Sequence, residues 1–314
     1  MTIQHLVPAP DTVHWGFFDA ALPPLTTIAS GDRITISTVS GDRNMMPAAP
    51  LAVPEALPAI HASSRRRMVP GHICTGPVAV KGAEPGQVLQ VDIESIDAYY
   101  DWGYIHVRPL AGALPHDFSE LRVVHSVLDR ARNAWRLPWG QTVPFAPFFG
   151  VIGVAPPAAW GMISTLPPRQ NGGNLDNKEL VAGTILYLPI FTNGALFSVG
   201  DGHGAQGDGE VCVNAVETGL TGTFRLTIRD DMQLQWPLAE TPTHMITMAF
   251  DPDLDDCVVI ALRQMIDLVC ARVGLDRYQA YMLCSLAADL RVTQVVNGNK
   301  GIHVMLDKRY LVRP

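Results

Sequence analysis

The sequence GDGHGAQGDGE, which runs from Gly200 to Glu210, decides between two fold classes for this chain. Its glycines Gly202, Gly204 and Gly207 match the pattern GxGxxG, which in a parallel α/β fold binds the pyrophosphate of a dinucleotide. That motif needs a helix directly after the glycines, but the residues that follow, VCVNAVET, favour a β-strand. The three carboxylates of the stretch would also repel a pyrophosphate. The stretch therefore argues against a nucleotide-binding fold and for a turn between two strands.

A β-turn-β element would place the polar side chains of this stretch at alternate positions. Asp201 and His203 are two residues apart, so on an extended backbone they share one face, and Asp208 and Glu210 repeat that spacing on the return. Imidazole and carboxylate groups that converge in this way suit a divalent metal of the zinc type. The spacing does not fit a calcium-binding EF-hand loop. From spacing alone, a metal site and a glycine-rich hairpin whose acids bond turn amides stay equally open.

The chain outside this stretch predicts a mainly β protein over its first 250 residues. Short apolar and β-branched segments are bounded by Gly, Pro or Asp, a pattern that is typical of a β-sandwich or barrel. The predicted strands are 33–39, 76–80, 88–93, 185–190, 210–217 and 223–228.

Beyond residue 250 the apolar residues adopt helical spacing. Leu254–Val273 is predicted as a helix because Asp253 is a suitable N-cap before it and Gly274 a suitable stop after it. A second helix is predicted from about Arg277 to Leu290.

A closing hairpin is predicted around Asn297 and Gly298, because this dipeptide favours a tight turn. The sequence thus predicts a β-rich unit over residues 1–250 that carries the site. An α/β segment over 251–314 is expected to pack on it as part of one structural unit.

The composition excludes several classes of partner. The chain of 314 residues has a formal net charge of −7, so its surface would gain nothing from binding nucleic acid or an anionic membrane. No apolar run reaches the roughly 20 residues that span a bilayer, and the N-terminus lacks the features of a signal peptide. The five cysteines are widely spaced without a CxxC, which fits reduced thiols. These features predict a cytoplasmic protein with no nucleic-acid partner and no membrane partner.

Longer stretches of the chain resemble one known family. The segment LFSVGDGHGAQGDGEVCVNAVET (196–218) is similar to the signature of the acetamidase/formamidase family. Gln87 stands where that family usually has Asp. The other segments that resemble the family are HICTGPVAVKGAEPGQVLQVDI (72–93), PFFGVIGVAP (147–156) and GGNLDNKEL (172–180), and the matches extend over most of residues 70–300.

This resemblance implies a mainly β fold with α/β additions, a jelly-roll-like β-sandwich with two C-terminal helices. It implies hydrolysis of a small aliphatic or cyclic amide, such as formamide, acetamide or a lactam, to a carboxylate and ammonia or an amine. Zinc is the expected metal, with calcium as the candidate for a second site. The expected assembly is a homodimer or a higher homo-oligomer.

The residues of the glycine-rich stretch could support a metal-dependent mechanism. Zinc lowers the pKa of bound water to about 7 and polarises a carbonyl, and a nearby carboxylate then moves the proton. We expect Asp201 and His203 to be metal ligands and Glu210 to be the general base, with Asp208 as the second candidate. Further candidate ligands, taken from the segments that resemble the family, are Asn174, Asp176, Glu84 and His72.

Two other functions stay open from the sequence. One is a non-catalytic, metal-bound β-module that binds a small ligand or a protein partner. The other is a cysteine-dependent amidase with Cys212 as the nucleophile, although Cys212 lies in an apolar run where a small buried hydrophobe is the commoner role. The chain contains no GxSxG sequence, which argues against an α/β-hydrolase.

Overall fold

The computed structural model describes residues 4–63 and 65–312, and over these residues the chain builds two large sheets and one small strand pair. The strands of the first sheet are β1 (Gln4–Leu6), β5 (Arg33–Ser37), β7 (Val88–Ala98), β15 (Ile185–Pro189), β18 (Leu220–Arg229), β19 (Leu238–Glu240), β20 (His244–Asp251), β21 (Ala288–Gln294) and β22 (Lys300–Asp307). They lie in the order β1-β5-β18-β7-β15-β19-β20-β22-β21.

The second large sheet carries the glycine-rich stretch. Its strands are β2 (Val13–Trp15), β4 (Thr26–Ile28), β6 (Ile73–Val80), β8 (Trp102–Val107), β9 (Arg122–Asp129), β10 (Ala134–Arg136), β11 (Thr142–Pro144), β12 (Phe148–Gly153), β14 (Gly172–Asn174), β16 (Phe197–His203) and β17 (Glu217–Thr218). Their order is β11-β10-β9-β8-β17-β16-β12-β14, and β6 joins β16 to β2 and β4. The strands β3 (Phe17–Phe18) and β13 (Ile163–Ser164) form the small pair.

An apolar core lies between the two large sheets. The ring of Phe224 on β18 has its centroid 5.5 Å from the ring of Phe149 on β12 and 5.5 Å from that of Phe197 on β16. All three side chains are almost fully buried, and burial of each contributes about 1.5–3 kcal/mol to folding. The prediction of a mainly β sandwich is therefore confirmed. Strands β12 and β16 are held by the packing of Phe149 and Phe197 against this core.

The helices are α1 (Ala56–Ala62), α2 (Leu254–Val273) and α3 (Arg277–Ala287). Helix α2 has the predicted bounds, because the side chain of Asp253 accepts a hydrogen bond from the N–H of Asp255 (2.8 Å) and Gly274 takes a left-handed φ of 81°. Helix α3 begins where predicted. It ends at Ala287, three residues before the predicted end at Leu290, because the chain enters β21 at Ala288 and pairs with β22. Among the described residues, no helix is both long and apolar enough to cross a membrane.

Substitution of Asp253 by Ala should lower the free energy of unfolding by about 1 kcal/mol, because α2 loses the side-chain bond that caps its first turn. Chemical denaturation followed by circular dichroism measures this change. The variant Asp253→Asn keeps a capping oxygen and should stay close to the wild type. An equal loss in both variants would show that the cap does not cause the effect.

The C-terminal hairpin forms where the sequence predicts it. Strands β21 and β22 pair antiparallel, and Gly298 in their connection has a φ of 81°. Because β22 also pairs along β20, the C-terminal strands extend the first sheet directly. The division of the chain at residue 250 stays a prediction, and β20 crosses that position.

The predicted returning strand over 210–217 is wrong for most of its length. Residues 204–216 form a loop, and only Glu217–Thr218 pairs with β16, as strand β17. The loop bonds elsewhere: the N–H of Gly209 donates to Thr293 O, and the N–H of Val295 donates to Gly209 O, both at 3.1 Å. Hydrogen bonds to the end of β21 therefore fix this loop, and they replace the strand pairing that the sequence predicted.

Candidate functional site

Three polar side chains meet where β16 and β17 pair. His203 lies directly opposite Glu217 across the two strands. The Nε2 atom of His203 is 3.2 Å from Oδ2 of Asp201 and 3.3 Å from Oε1 of Glu217. Strand β16 supplies Asp201 and His203, and the strand pairing adds Glu217.

Two further carboxylates belong to a second group around the same histidine. Oδ1 of Asp176 is 3.8 Å from Nδ1 of His203, and Glu210 of the loop completes a second group with them. The side-chain amide of Asn297, from the turn between β21 and β22, donates to Oδ2 of Asp176 (2.5 Å) and to Oε2 of Glu210 (3.3 Å). We call the five ionisable residues, Asp176, Asp201, His203, Glu210 and Glu217, the carboxylate cluster.

The carboxylate cluster is buried, although charged groups strongly prefer water. Each of its members is at most 6% exposed. Within the described part of the chain, His203 Nε2 and Asp176 Oδ1 have no hydrogen-bond partner. Buried charges are normally paired or bound to metals, so this arrangement fits a site for a cation.

A missing side chain leaves room beside these groups. A Cβ atom on Gly150 of β12 would lie 2.6 Å from Asp176 Oδ1, 2.6 Å from Asp201 Oδ2 and 2.8 Å from His203 Cε1. No real Cβ atom fits at such distances, so any residue other than glycine at this position would force the two carboxylates to move. The bare backbone of β12 thus forms one wall of the space between Asp176, Asp201 and His203.

Three of the site carboxylates stand on left-handed backbone. The φ angles are 46° for Asp176, 54° for Asp201 and 46° for Glu210. Such conformations are uncommon outside glycine and cost of order 1–3 kcal/mol each unless the surroundings enforce them. Strain of this kind concentrates at functional sites, and here it turns three carboxylates towards one another.

Burial strongly changes the acidity of the carboxylates. It raises the pKa of Asp176 to about 6 and that of Glu217 to about 7. Burial, together with the nearby charge of Asp176, raises the pKa of Glu210 well above its ordinary value. Burial therefore disfavours the charged form of all three carboxylates, and a bound cation would favour it.

The remaining two members of the cluster form the charged pair at its centre. Burial would raise the pKa of Asp201, but the charges of His72 and His203 lower it well below its usual range. Burial would lower the pKa of His203, but Glu217 and Asp201 raise it instead. A carboxylate form of Asp201 is thus the stable one at neutral pH, as a metal ligand requires.

A small cavity opens onto the cluster. It has a volume of about 130 Å³ and reaches Asp201, Glu210 and Glu217, with Asn297 at the same wall. Cavities for drug-sized ligands begin at roughly 300 Å³, so this cavity suits a ligand with few non-hydrogen atoms.

The structure brings together six of the eight site residues that the sequence predicts. Asp176, Asp201, His203 and Glu210 belong to the carboxylate cluster. His72 and Asn174 line the cavity: His72 Nε2 is 3.7 Å from Asp201 Oδ2, and the amide of Asn174 donates to Leu166 O (3.0 Å).

Glu84 and Asp208 do not join the other predicted site residues. Glu84 is exposed in the turn between β6 and β7, where its backbone N–H donates to Oε1 of Gln87 (2.8 Å). Asp208 is exposed and forms an ion pair with Lys178 (3.0 Å). Neither residue is among the described residues that line the cavity, so a direct role for either side chain has no geometric support.

Two residues of the site were missed by the sequence analysis. Glu217 lies inside the segment VCVNAVET, and its position opposite His203 becomes visible only with the strand register. Asn297 was predicted only as a turn residue. Its contact with Asp176 spans 121 positions of the sequence, so no local pattern signals it.

Cys212 is poorly placed to act as a nucleophile. It lies in the 204–216 loop rather than in a strand, and its thiol contacts Asn214 O at 3.7 Å. Burial raises the pKa of the thiol, whereas a nucleophilic cysteine needs a lowered pKa. Cys212 also does not line the cavity of the carboxylate cluster within the described residues.

Comparisons with known proteins agree on one family. A profile of the acetamidase/formamidase family matches residues 61–163 and 157–306. The acetamidase of Mycolicibacterium smegmatis is 28% identical over 221 residues, which cover 48% of this chain and 52% of that protein. The formamidase of Methylophilus methylotrophus is 26% identical over 191 residues, which cover 45% of this chain and 47% of that protein. The chain therefore aligns with about half the length of these two relatives.

The agreement in three dimensions extends over nearly the whole chain. A solved structure of an acetamidase from Bacillus halodurans has a TM-score of 0.84 to this chain at 29% sequence identity. The match covers 98% of this chain and 98% of the other. The shared fold therefore includes both the β-sandwich and the C-terminal helices.

Proposed function

The chain belongs to the acetamidase/formamidase family and is an amidohydrolase, and we propose that it hydrolyses a small amide or lactam with the help of a bound divalent metal, zinc foremost. The products would be a carboxylate and ammonia, or an amino acid where the amide is cyclic. The observation that carries this proposal is the carboxylate cluster, in which four buried carboxylates surround one imidazole at the wall of a small cavity.

The residues on the Nε2 side of His203 fit a zinc ion. Zinc takes imidazole and carboxylate ligands at about 2.0–2.1 Å, which in a tetrahedron separates the ligand atoms by roughly 3.4 Å. The distances of 3.2 and 3.3 Å from His203 Nε2 to Asp201 and Glu217 are close to that value. Asp201, His203 and Glu217 would hold the metal, which supplies a Lewis acid and lowers the pKa of water.

Glu210 is the chain's own candidate for proton transfer. It lines the cavity, and Asn297 donates to one of its carboxylate oxygens, which fixes its orientation. Glu210 would take a proton from the attacking water as the C–O bond forms and deliver it to the amide nitrogen as the C–N bond breaks. The step gives a carboxylic acid and ammonia or an amine, and the proton that the acid then releases leaves a carboxylate and an ammonium ion in water.

The size of the cavity supports a small substrate. The relatives are named acetamidase and formamidase, and a volume of about 130 Å³ accommodates amides of that size. Trp15 and Tyr104 line the cavity and would contact the apolar part of a substrate. Calcium at a second site and a homo-oligomeric assembly stay predictions.

Removal of the metal should lower amide hydrolysis more than about tenfold, and restored zinc should return it, because the cluster then regains its cation. The assay measures ammonia release from formamide and acetamide and the primary amine released from 2-pyrrolidone. Samples are taken before chelation, after chelation and after addition of zinc, each with elemental analysis. Full activity in protein that elemental analysis shows to be free of metal would contradict the proposal.

A further inference from the structure

We propose that Gln206 is a positioning residue that keeps the proton of His203 on Nδ1 and so presents Nε2 as the metal-binding atom. This inference rests on the proposed function only in that a metal binds to the carboxylate cluster. Gln206 lies in the 204–216 loop, three residues after His203, and is half-buried beside it.

The hydrogen bonds of Gln206 fix which way its amide points. Its Nε2 lies 2.8 Å from the backbone O of Asp176, and its Oε1 lies 2.8 Å from Nδ1 of His203. A backbone carbonyl can only accept a hydrogen bond, so the amide nitrogen must be the atom that faces Asp176. The amide oxygen therefore faces His203, and since that oxygen can only accept, Nδ1 must donate.

A donor at Nδ1 determines what the other ring nitrogen can do. A metal that binds takes the place of the proton on Nε2, because a histidine ligand must be neutral, and the ring then keeps its other proton on Nδ1 and offers the lone pair of Nε2. Nε2 of His203 faces the carboxylates of Asp201 and Glu217 and has no hydrogen-bond partner in the described part of the chain. The ring is also held by an edge contact with Phe148, with centroids 5.1 Å apart.

The tautomer of His203 determines which of the two groups that contain this histidine can bind the metal through it. In the group of Asp176 and Glu210, the Asp176 carboxylate lies towards Nδ1, which Gln206 occupies, whereas Asp201 and Glu217 lie towards Nε2. The geometry therefore assigns the zinc to the side of Asp201 and Glu217. Asp176 and Glu210 would then not be zinc ligands, which agrees with the proposed role of Glu210 in proton transfer.

The first test is the zinc affinity of variants at this position. Gln206→Leu removes the acceptor at Nδ1 and should weaken zinc binding by about 10–100-fold, as loss of an outer partner of a metal-bound histidine does. Gln206→Glu keeps an acceptor and should bind zinc more tightly than Gln206→Leu. The matched control is Gln233→Leu, the same change at an exposed position, which should bind zinc as the wild type does. The dissociation constants come from competition with a coloured chelator.

The second test observes the histidine directly in the wild-type protein. In zinc-loaded wild-type protein labelled with ¹⁵N-histidine, NMR should show a protonated Nδ1 and a metal-bound Nε2 for one histidine. His203→Asn removes that signal and so assigns it. A metal-bound Nδ1, or wild-type zinc affinity in Gln206→Leu, would overturn the inference and leave the amidase proposal intact. Zinc binding with the expected tautomer but no amide hydrolysis would overturn the proposed function alone.

Discussion

Replacement of Glu210 by Gln should lower kcat for amide hydrolysis by about 10²–10⁴-fold while zinc stays bound. Glutamine has the shape of glutamate and can still accept the hydrogen bond from Asn297, but it cannot carry a proton between water and the amide nitrogen. The expected loss is the usual contribution of general acid–base catalysis. The measurement is kcat with the preferred amide, together with the zinc content of the variant.

The chain offers a matched control two residues away. Asp208→Asn makes the same chemical change, but Asp208 is exposed and pairs with Lys178, so kcat should stay within about twofold of the wild type. A large loss in Asp208→Asn with an active Glu210→Gln would reverse the two roles. Loss of zinc from Glu210→Gln would make Glu210 a ligand rather than a proton carrier.

The contrast between Asp208 and Glu210 also shows where prediction from sequence stops. On a strand, residues two apart share a face, and Asp201 and His203 do lie together on β16, although the backbone of Asp201 is left-handed (φ 54°) rather than extended. The rule does not hold in the 204–216 loop, because Gly209 bonds to the end of β21 and takes a φ of 95°. The chain turns there, so Glu210 faces the site while Asp208 faces solvent.

The parts of the fold that follow local signals were predictable. Helix α2 has its predicted bounds because the N-cap and the C-terminal glycine act within one turn of its ends. The end of α3 was not predictable from propensity, because residues from Ala288 onward gain more from pairing with β22 than from a further helical turn. Such competition depends on a strand that comes later in the sequence.

The parts of the site that join distant segments needed the structure. Glu217 reaches His203 only through the register of β16 and β17, and a shift of one residue would turn it away. Asn297 arrives because the C-terminal hairpin docks on the 204–216 loop. The catalytic candidate Glu210 is thus held by a segment that the sequence suggested only as a closing hairpin.

The second large effect is expected at a residue with no side chain. Gly150→Ala should lower kcat/KM by at least about 100-fold and reduce the zinc content, because the new methyl group would lie 2.6 Å from both Asp176 Oδ1 and Asp201 Oδ2. The carboxylates must then move, and a displacement of about 1 Å is enough for a loss of this size. The backbone of Gly150 is not left-handed, so the effect is steric rather than conformational. Activity assays and elemental analysis of purified protein measure it.

Gly207→Ala is the control that separates crowding at the site from glycine replacement in general. A Cβ atom at Gly207 meets nothing within 4 Å, and its backbone does not need glycine. This variant should keep its zinc and its kcat/KM, although it lies in the same loop as Glu210. If Gly150→Ala keeps full zinc content and activity, the space beside Asp176 and Asp201 is not needed for the metal, and the assignment of that space to the site fails. If Gly150→Ala and Gly207→Ala lose activity equally, the loss is not specific to the wall formed by β12, and crowding of Asp176 and Asp201 does not explain it.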